Sequence, residues 1–360
     1  MLKATIPVSV DLIVIGGGPV GLVTALYADR AGLRPIVLEP RAGVIDKACG
    51  EGLMPGALAA LADLGVDPPG HLLAGIRYTD GSRSAQAGFR HGAGRGVRRT
   101  TLHRTLLEAV DAAGIEMLRR PMEALAQDEH QVTVTVPAQG RLRAPFVVAA
   151  DGLHSPTRRL LGLHRSSKDN GTSGGSRRHG IRQHLQMAPW SDHVEVHWSP
   201  RAEVYVTPVA DDLVGVAALT SQRRPLRDLL TDFPELTARM SAADAITPAR
   251  GAGPLRQTSS SRRAGRVLLV GDAGGYVDAL TGEGLSVGFA QARVAIDAIS
   301  HGRPQRYPTS AHAVSWRSSL LTRALLAATG PAWPRRHLVG AAATVPGVFQ
   351  WAVDELSTPR

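Results

Sequence analysis

Continuous apolar runs alternate with glycine-rich turns along the first part of the chain. Residues 12–15 read Leu-Ile-Val-Ile, a run typical of a strand buried on both faces of a parallel sheet. A glycine-rich turn follows, and the small apolar residues of 22–31 predict a helix packed on that strand. A second apolar strand is predicted at 34–38. This order of strand, turn, helix and strand indicates the α/β fold of a dinucleotide-binding unit.

Three glycines in the first turn have separate physical tasks. Gly16 permits the tight turn, Gly18 lets backbone N–H groups approach a diphosphate, and Gly21 lets the helix approach the sheet. Glu39 follows the second strand, where it is placed to accept hydrogen bonds from a ribose diol. An acid there favours an unphosphorylated adenosine ribose, as in FAD or NAD. The alternative is an ordinary glycine turn in an α/β protein.

Two later apolar strands also end in an acidic residue. Residues 146–150 lead into Asp151-Gly152, and residues 267–270 lead into Gly271-Asp272. A carboxylate at the end of a buried strand needs donors, which either a ligand or a helix start supplies. NAD needs only the first acid-tipped strand, so three of them favour FAD. Asp272 is then expected at a ribityl hydroxyl, and the turn Gly282-Glu283-Gly284 at the isoalloxazine.

A second, antiparallel domain is predicted from short strands at 193–198, 203–207 and 213–219. Its inner face is expected to carry the substrate, and Tyr205 lies in this domain, although the periodicity does not show which face it occupies. The polar, glycine-rich segment 165–180 is expected to be a mobile surface loop. The predicted units are a discontinuous FAD-binding domain of residues 1–75, 98–160 and 262–303, a substrate-binding β domain of residues 76–97 and 161–261, and a C-terminal helical segment of residues 304–360.

The apolar C-terminal helices are expected to pack across the second domain or a partner, with peripheral membrane contact as the alternative. Cys49 is the single cysteine of the 360 residues, which excludes an intramolecular disulfide framework and a multi-cysteine metal site. No metal is predicted. No secretory signal precedes the first strand, so a cytoplasmic location is expected.

Basic residues outnumber acidic ones by 41 to 31, which gives a formal net charge of +10. Only Lys3, Lys47 and Lys168 are lysines, and the arginines are scattered along the chain. Nucleic-acid binding calls for a concentrated basic patch and a recognisable module, so no nucleic-acid partner is predicted. A diffuse positive field is expected instead to attract NADPH or an acidic carrier protein.

The three acid-tipped motifs, in this order, resemble the flavoprotein monooxygenases of the para-hydroxybenzoate hydroxylase type and the related geranylgeranyl reductases. The resemblance covers roughly residues 11 to 300. It implies a Rossmann-like FAD-binding domain and reduction of FAD by NAD(P)H without a second nucleotide-binding domain. It also implies that the ADP half is held by Gly16, Gly18, Gly21, Glu39 and Arg41, the pyrophosphate region by Arg99 and Asp151, and the ribityl chain by Asp272.

The details divide between the branches of this superfamily. Cys49-Gly50-Glu51-Gly52 and residues 280–284 resemble the geranylgeranyl reductases. The His-x-x-x-Pro that usually follows the third motif in hydroxylases is absent, with Ala279 in place of the proline. Tyr205-Val206-Thr207-Pro208 keeps only the ends of the reductases' Tyr-x-Trp-x-Phe-Pro. The Trp-x-Trp-x-Ile-Pro of flavin halogenases is also absent, so halogenation is not predicted.

We therefore predict an FAD-dependent oxidoreductase, in the first place an NAD(P)H-dependent monooxygenase that hydroxylates an aromatic, polyketide or other hydrophobic small molecule. One alternative is a geranylgeranyl-reductase-like enzyme that reduces isoprenoid double bonds. Another is a flavin- or NAD-binding regulatory protein without turnover. Cys49, Glu51 and Tyr205 are the candidate catalytic residues, since each carries a group able to exchange a proton. For Cys49 the alternative is a buried thiol with no chemical role.

Overall fold

The computed structural model describes residues 10–165, 178–330 and 332–358. The strands up to residue 149 are β1 (Leu12–Ile15), β2 (Pro35–Leu38), β3 (Gly52–Leu53), β4 (His71–Leu73), β5 (Gly75–Thr79), β6 (Ser84–Gly88), β7 (Gly94–Gly96), β8 (Glu116–Leu118), β9 (Ala124–Gln127), β10 (Val132–Val136), β11 (Gly140–Ala144) and β12 (Phe146–Ala149). The later strands are β13 (His164–Arg165), β14 (His179–Gln186), β15 (His193–Trp198), β16 (Ala202–Ala210), β17 (Leu213–Thr220), β18 (Asp244–Ala245), β19 (Arg250–Ala252), β20 (Thr258–Ser259), β21 (Arg263–Ala264) and β22 (Val267–Leu269).

The helices, like the strands, are numbered in chain order. They are α1 (Pro19–Arg30), α2 (Pro55–Asp63), α3 (Arg99–Ala112), α4 (Pro156–Leu160), α5 (Leu226–Leu230), α6 (Pro234–Arg239), α7 (Gly284–Ser300), α8 (Tyr307–Ala313), α9 (Trp316–Thr329), α10 (Ala332–Thr344) and α11 (Pro346–Ser357). Short 3₁₀ turns lie at Gly271–Gly274 and Pro304–Arg306. Among the described residues, no helix has both the length and the apolar content that crossing a bilayer requires.

The first large sheet has the order β21-β22-β12-β1-β2-β8, and its strands are parallel except β21 at one edge. Its central strands are apolar throughout because both faces are covered. Helices α1, α3 and α7 pack on one face, and β9 to β11 pack on the other as a separate three-stranded sheet. The carboxyl ends of β1, β2, β12 and β22 therefore meet at one edge, where ligands of such sheets bind.

The second large sheet has the order β18-β14-β17-β16-β15-β5-β6, with β19 paired beside β14. Its neighbours are antiparallel except β5 and β15, which pair in parallel. The exception arises because the chain returns to the first sheet between these two strands, and a parallel pair needs such a long connection. The predicted α/β fold, with its additional antiparallel sheet, is confirmed.

The C-terminal helices cover the second sheet. Phe349 of α11 packs on Tyr78 of β5 with ring centroids 4.8 Å apart, and Val339 of α10 belongs to the same apolar cluster as Val196 of β15. Part of the apolar content of these helices is thus buried against the chain's own sheet. Of the predicted loop 165–180, residues 166–177 lie outside the described residues. The limits of the predicted domains stay a prediction.

Candidate active site

A cavity of about 830 Å³ lies between the carboxyl edge of the first sheet, the inner face of the second sheet and the C-terminal helices. This volume is in the range of small-molecule sites. Of the residues singled out in the sequence, three do not line this cavity: Gly16, Gly21 and Glu39. The other ten line the cavity: Gly18, Arg41, Cys49, Glu51, Arg99, Asp151, Tyr205, Asp272, Gly282 and Gly284.

The glycine turn after β1 is tightly packed at two positions and open at the third. A Cβ added at Gly16, whose φ is +104°, would lie 2.6 Å from the carbonyl oxygen of Ala150. A Cβ at Gly21 would lie only 1.8 Å from the carbonyl oxygen of Gly16. A Cβ at Gly18 would meet nothing within 4 Å. The free space beside the turn is therefore at Gly18, where the sequence predicts a diphosphate.

Glu39 is buried and fully oriented by its neighbours. Its Oε2 accepts a hydrogen bond from the Gly17 N–H at 2.8 Å, and its Oε1 accepts from Arg41 Nε at 2.8 Å. Burial raises the pKa of Glu39, but the hydrogen bonds from Arg41 and Gly17 together outweigh it and hold the pKa below its ordinary value. The carboxylate is thus ionised and fixed beside the turn.

His103 supports the glycine turn from α3, a role that the sequence reasoning missed. Its Nδ1 accepts from the Ile45 N–H at 3.1 Å, so Nε2 carries the proton and donates to the Gly17 carbonyl at 2.7 Å. Burial lowers the pKa of His103, which keeps the ring neutral. A histidine beside Leu102 in the apolar stripe of α3 was the available signal.

Arg158, also missed, joins the second and third acid-tipped motifs. The guanidinium is fully buried and donates to the carbonyl oxygens of Leu153 at 2.9 Å, Asp272 at 3.1 Å and Ala273 at 2.9 Å. These bonds tie the loop after β12 to the loop after β22. Its place seven residues after Asp151, in the short helix α4 that follows this loop, was the only signal in the sequence.

Only one of the two carboxylate oxygens of Asp151 has a hydrogen-bond partner among the described residues. Its Oδ2 accepts from the Thr157 N–H at 2.9 Å and from the Thr157 hydroxyl at 2.7 Å, so the helix-start alternative accounts for that atom. Its Oδ1 is buried without a hydrogen-bond partner among the described residues. A buried acceptor without a donor is costly, which marks this oxygen as one that a ligand donor would satisfy.

Tyr205 and Asp278 hold the turn before α7. The Tyr205 hydroxyl donates to the Leu280 carbonyl at 2.7 Å, and Asp278 Oδ1 accepts from the Leu280 N–H at 3.1 Å. Gly282 completes the turn with a φ of +71°, in the left-handed region. Burial raises the pKa of Tyr205 well above its ordinary value, so the hydroxyl keeps its proton. The geometry gives Tyr205 a positioning task, and its catalytic role stays a prediction.

Cys49 and Glu51 belong to one loop that lines the cavity. Glu51 has a φ of +62°, an uncommon backbone conformation for a residue other than glycine, and is 2% exposed. Its carboxylate accepts from the Arg99 N–H at 2.8 Å and lies 2.7 Å from His184 Nε2. Its own N–H donates to Cys49 Sγ at 3.4 Å. The strained backbone thus points an N–H group at the thiol.

Beyond this loop the cavity is walled by apolar side chains from the second sheet and the C-terminal helices. The sequence predicted the sheet face but named none of the helical residues. Wall residues include Ile76, Val196, Leu325, Leu338, Ala342 and Phe349. At the outer end, Val345, Val348 and Trp351 line the cavity while being 51%, 61% and 56% exposed. The cavity therefore has an apolar mouth.

The sequence profile of the family described as FAD binding domain matches residues 9–301 of the chain. This chain belongs to that FAD-binding family. FAD is its cofactor, and the predicted resemblance to the hydroxylase and geranylgeranyl reductase superfamily is confirmed. The chain is an FAD-dependent oxidoreductase of the monooxygenase or isoprenoid reductase type.

Curated relatives of this FAD-binding chain include both reductases and monooxygenases. A menaquinone reductase of Mycobacterium tuberculosis is 28% identical over 328 residues, covering 80% of this chain and 76% of the relative. A digeranylgeranylglycerophospholipid reductase of Methanopyrus kandleri is 27% identical, covering 79% of each. A para-nitrophenol 4-monooxygenase of a Pseudomonas species is 26% identical, covering 80% of this chain and 77% of the relative.

Solved structures share the fold. The p-nitrophenol 4-monooxygenase of Pseudomonas putida superposes with a TM-score of 0.79 at 20% identity, over 98% of this chain and 99% of the other. A geranylgeranyl bacteriochlorophyll reductase-like protein of Thermoplasma acidophilum gives 0.76 at 20% identity, over 94% and 91%. Both enzyme types are thus built on the architecture seen here.

The residues present fit FAD. Free space lies beside Gly18, and Asp151 Oδ1 is a buried acceptor that lacks a donor among the described residues. Glu39 is ionised at the end of β2, where a ribose diol would find an acceptor. The individual cofactor contacts assigned to these residues stay predictions.

Proposed function

We propose that this FAD-dependent oxidoreductase reduces a carbon–carbon double bond in a long apolar chain of the isoprenoid class, with NAD(P)H as the reductant of FAD. The observation that carries the proposal is the apolar part of the cavity, which continues past the Cys49 loop to a mouth between the C-terminal helices. A long hydrocarbon chain fits such a channel better than a compact aromatic ring does. The reductases named above act on menaquinone and on a digeranylgeranylglycerophospholipid, in agreement with this class.

Bound, reduced FAD supplies the hydride for such a reduction. The chain's own part is to hold the double bond, exclude water and deliver a proton. We assign the proton to Cys49 Sγ, since the thiol lines the cavity and accepts the Glu51 N–H at 3.4 Å. That N–H group stabilises the thiolate left after proton transfer. The N-terminus of α7 beside Gly282 offers further N–H groups to negative charge at the same end of the cavity.

Replacing Cys49 tests this assignment. Cys49→Ala should lower turnover of a geranylgeranyl substrate at least about 100-fold, since a positioned proton donor contributes roughly that factor. Reduction of the bound flavin by NAD(P)H, followed by flavin absorbance, should be unchanged. Cys49→Ser replaces the thiol by a hydroxyl of similar size and serves as the matched control. Full turnover by Cys49→Ala would refute the role of the thiol.

The second candidate is the monooxygenase that the sequence analysis places first. The 26% identity to a para-nitrophenol 4-monooxygenase over most of both chains favours it. A requirement for molecular oxygen distinguishes hydroxylation from double-bond reduction. Turnover with NADPH under strict anoxia supports reduction, whereas incorporation of labelled oxygen into the product, seen by mass spectrometry, supports hydroxylation. The reductases and monooxygenases among the relatives argue against a regulatory protein without turnover.

We also propose that the mouth contacts a membrane surface from the cytoplasmic side. Val348 and Trp351 are exposed apolar residues at the mouth itself, and Arg90 and Arg317 lie beside α11, paired to its acidic residues. An exposed apolar rim suits the interface of a bilayer, and the formal net charge of +10 suits an anionic one. Cosedimentation with phosphatidylglycerol vesicles should fall in V348D/W351D relative to the native chain. Equal cosedimentation of both proteins would refute the contact.

A further inference from the structure

Lys47 extends into the part of the cavity assigned to the middle of FAD. Its Nζ lies 3.7 Å from Asp272 Oδ2. A Cβ added at Gly152 would lie 3.8 Å from the same Nζ. One ammonium group therefore faces both the loop of Asp151-Gly152 and the loop of Gly271-Asp272. It lines the cavity with 37% of its side chain exposed.

The backbone that carries Lys47 is anchored on both sides. Asp46 accepts from the buried guanidinium of Arg182 on β14. On the other side, the Glu51 carboxylate is held by His184 of the same strand at 2.7 Å. Two side-chain contacts to the second sheet thus hold the loop on either side of Lys47, whose side chain lines the cavity.

The charges around Lys47 indicate what it binds. Asp151 and Asp272 both line this part of the cavity, and two carboxylates would repel the anionic diphosphate of a dinucleotide. The nearby guanidinium of Arg41 is already engaged by Glu39 at 2.8 Å. Arg99 also lines the cavity, but the cation that the structure places directly beside Asp272 is Lys47, and Gly18 lines the same cavity.

We propose that Lys47 is a further FAD-binding residue whose ammonium group binds the diphosphate–ribityl part of the cofactor. It also offsets the negative charge of the two motif carboxylates. Lysine suits this place because a compact ammonium on a flexible stem can serve several oxygen atoms that are not arranged as a planar pair. The inference concerns the cofactor alone and holds for either candidate reaction.

The test is FAD affinity of the full-length chain after removal of bound flavin, measured by quenching of flavin fluorescence. Lys47→Met should weaken FAD binding about 10- to 100-fold, the loss typical of one charge-assisted contact. Lys47→Arg should recover part of it. Arg104→Met, which removes an exposed positive charge of α3 outside the cavity lining, should stay within about twofold. Equal thermal melting of the flavin-free variants shows that folding is intact.

The effect must also survive in a background without the Asp272 charge. If Lys47 binds FAD directly, Lys47→Met costs a similar factor in Asp272→Asn as in the native chain. If the cost vanishes there, Lys47 is only the counter-ion of Asp272 and the proposal is overturned. FAD should further protect Lys47 from acetylation, read by peptide mass spectrometry. Unprotected Lys47 in the FAD-saturated protein, or FAD binding by Lys47→Met within about twofold of native, would also overturn it.

Discussion

The two ends of the cavity are made in different ways. At the diphosphate end, one short stretch from β1 into α1 supplies backbone groups in a turn where an added Cβ at Gly21 would lie 1.8 Å from a carbonyl oxygen. At the apolar end, side chains come from strands and helices far apart in the sequence, such as Ile76, Val196 and Ala342. A site built from backbone groups is therefore disrupted by a single added carbon atom. A wall of side chains instead changes the size and shape of the ligand that fits.

The largest effect is expected at the diphosphate end. Gly21→Ala forces α1 away from β1 and should lower the free energy of unfolding by about 3 kcal/mol or more, as severe overpacking does. Gly18→Ala should leave that free energy within about 0.5 kcal/mol but weaken FAD binding at least tenfold, because its Cβ enters the open space. Urea unfolding and flavin fluorescence measure the two quantities. Similar free energies of unfolding for the two variants would contradict the predicted difference between Gly21 and Gly18.

Glu39 tests whether this end depends on charge as well as shape. Its folded-state pKa is lowered, so it contributes stability above its ordinary pKa of 4.5 and loses that contribution as the pH falls further. Glu39→Gln should therefore cost about 1–2 kcal/mol at pH 7 and clearly less near pH 3. Urea unfolding at both pH values checks this, with Glu116→Gln on the exposed side of β8 as control. A pH-independent difference would contradict the charge argument.

The apolar end should respond in specificity before stability. Ala342→Phe places a ring in the wall and should raise the KM for a long isoprenoid substrate about tenfold, while FAD affinity stays within about twofold, since α10 packs on β6, α9 and α11. A short-chain substrate should be little affected. Ala343→Phe, on an exposed position of the same helix, is the matched control. An equal rise in KM for the long-chain and short-chain substrates would show that Ala342 does not set the chain length that the cavity accepts.

Tyr205 stands between the two ends and should give the smallest effect. Tyr205→Phe removes the hydrogen bond to the Leu280 carbonyl and should lower the free energy of unfolding by about 1 kcal/mol. If Tyr205 is only a positioning residue, kcat should fall less than about fivefold, with the same dependence on pH. A loss of 100-fold or more would instead make the hydroxyl catalytic.

The diphosphate end was predictable because its requirements are local. Gly16, Gly18 and Gly21 follow a continuous apolar strand, and the period of the next residues indicates the helix, so the turn can be located without tertiary information. The acids after β2, β12 and β22 were predictable for the same reason. The supporting groups His103 and Arg158 were not, because their positions in the sequence do not show which carbonyl oxygens of other segments they bond.

The α/β fold, the order of the acid-tipped strands and the cofactor can be inferred from the chain alone, since each of the three motifs consists of residues close together in the sequence. Tertiary structure alone decided which residues of α9 to α11 complete the cavity and that Lys47 faces both Asp272 and the Asp151-Gly152 loop. Those contacts join segments more than 100 residues apart. Side-chain packing between distant segments is set by the folded shape and leaves no periodic pattern along the chain.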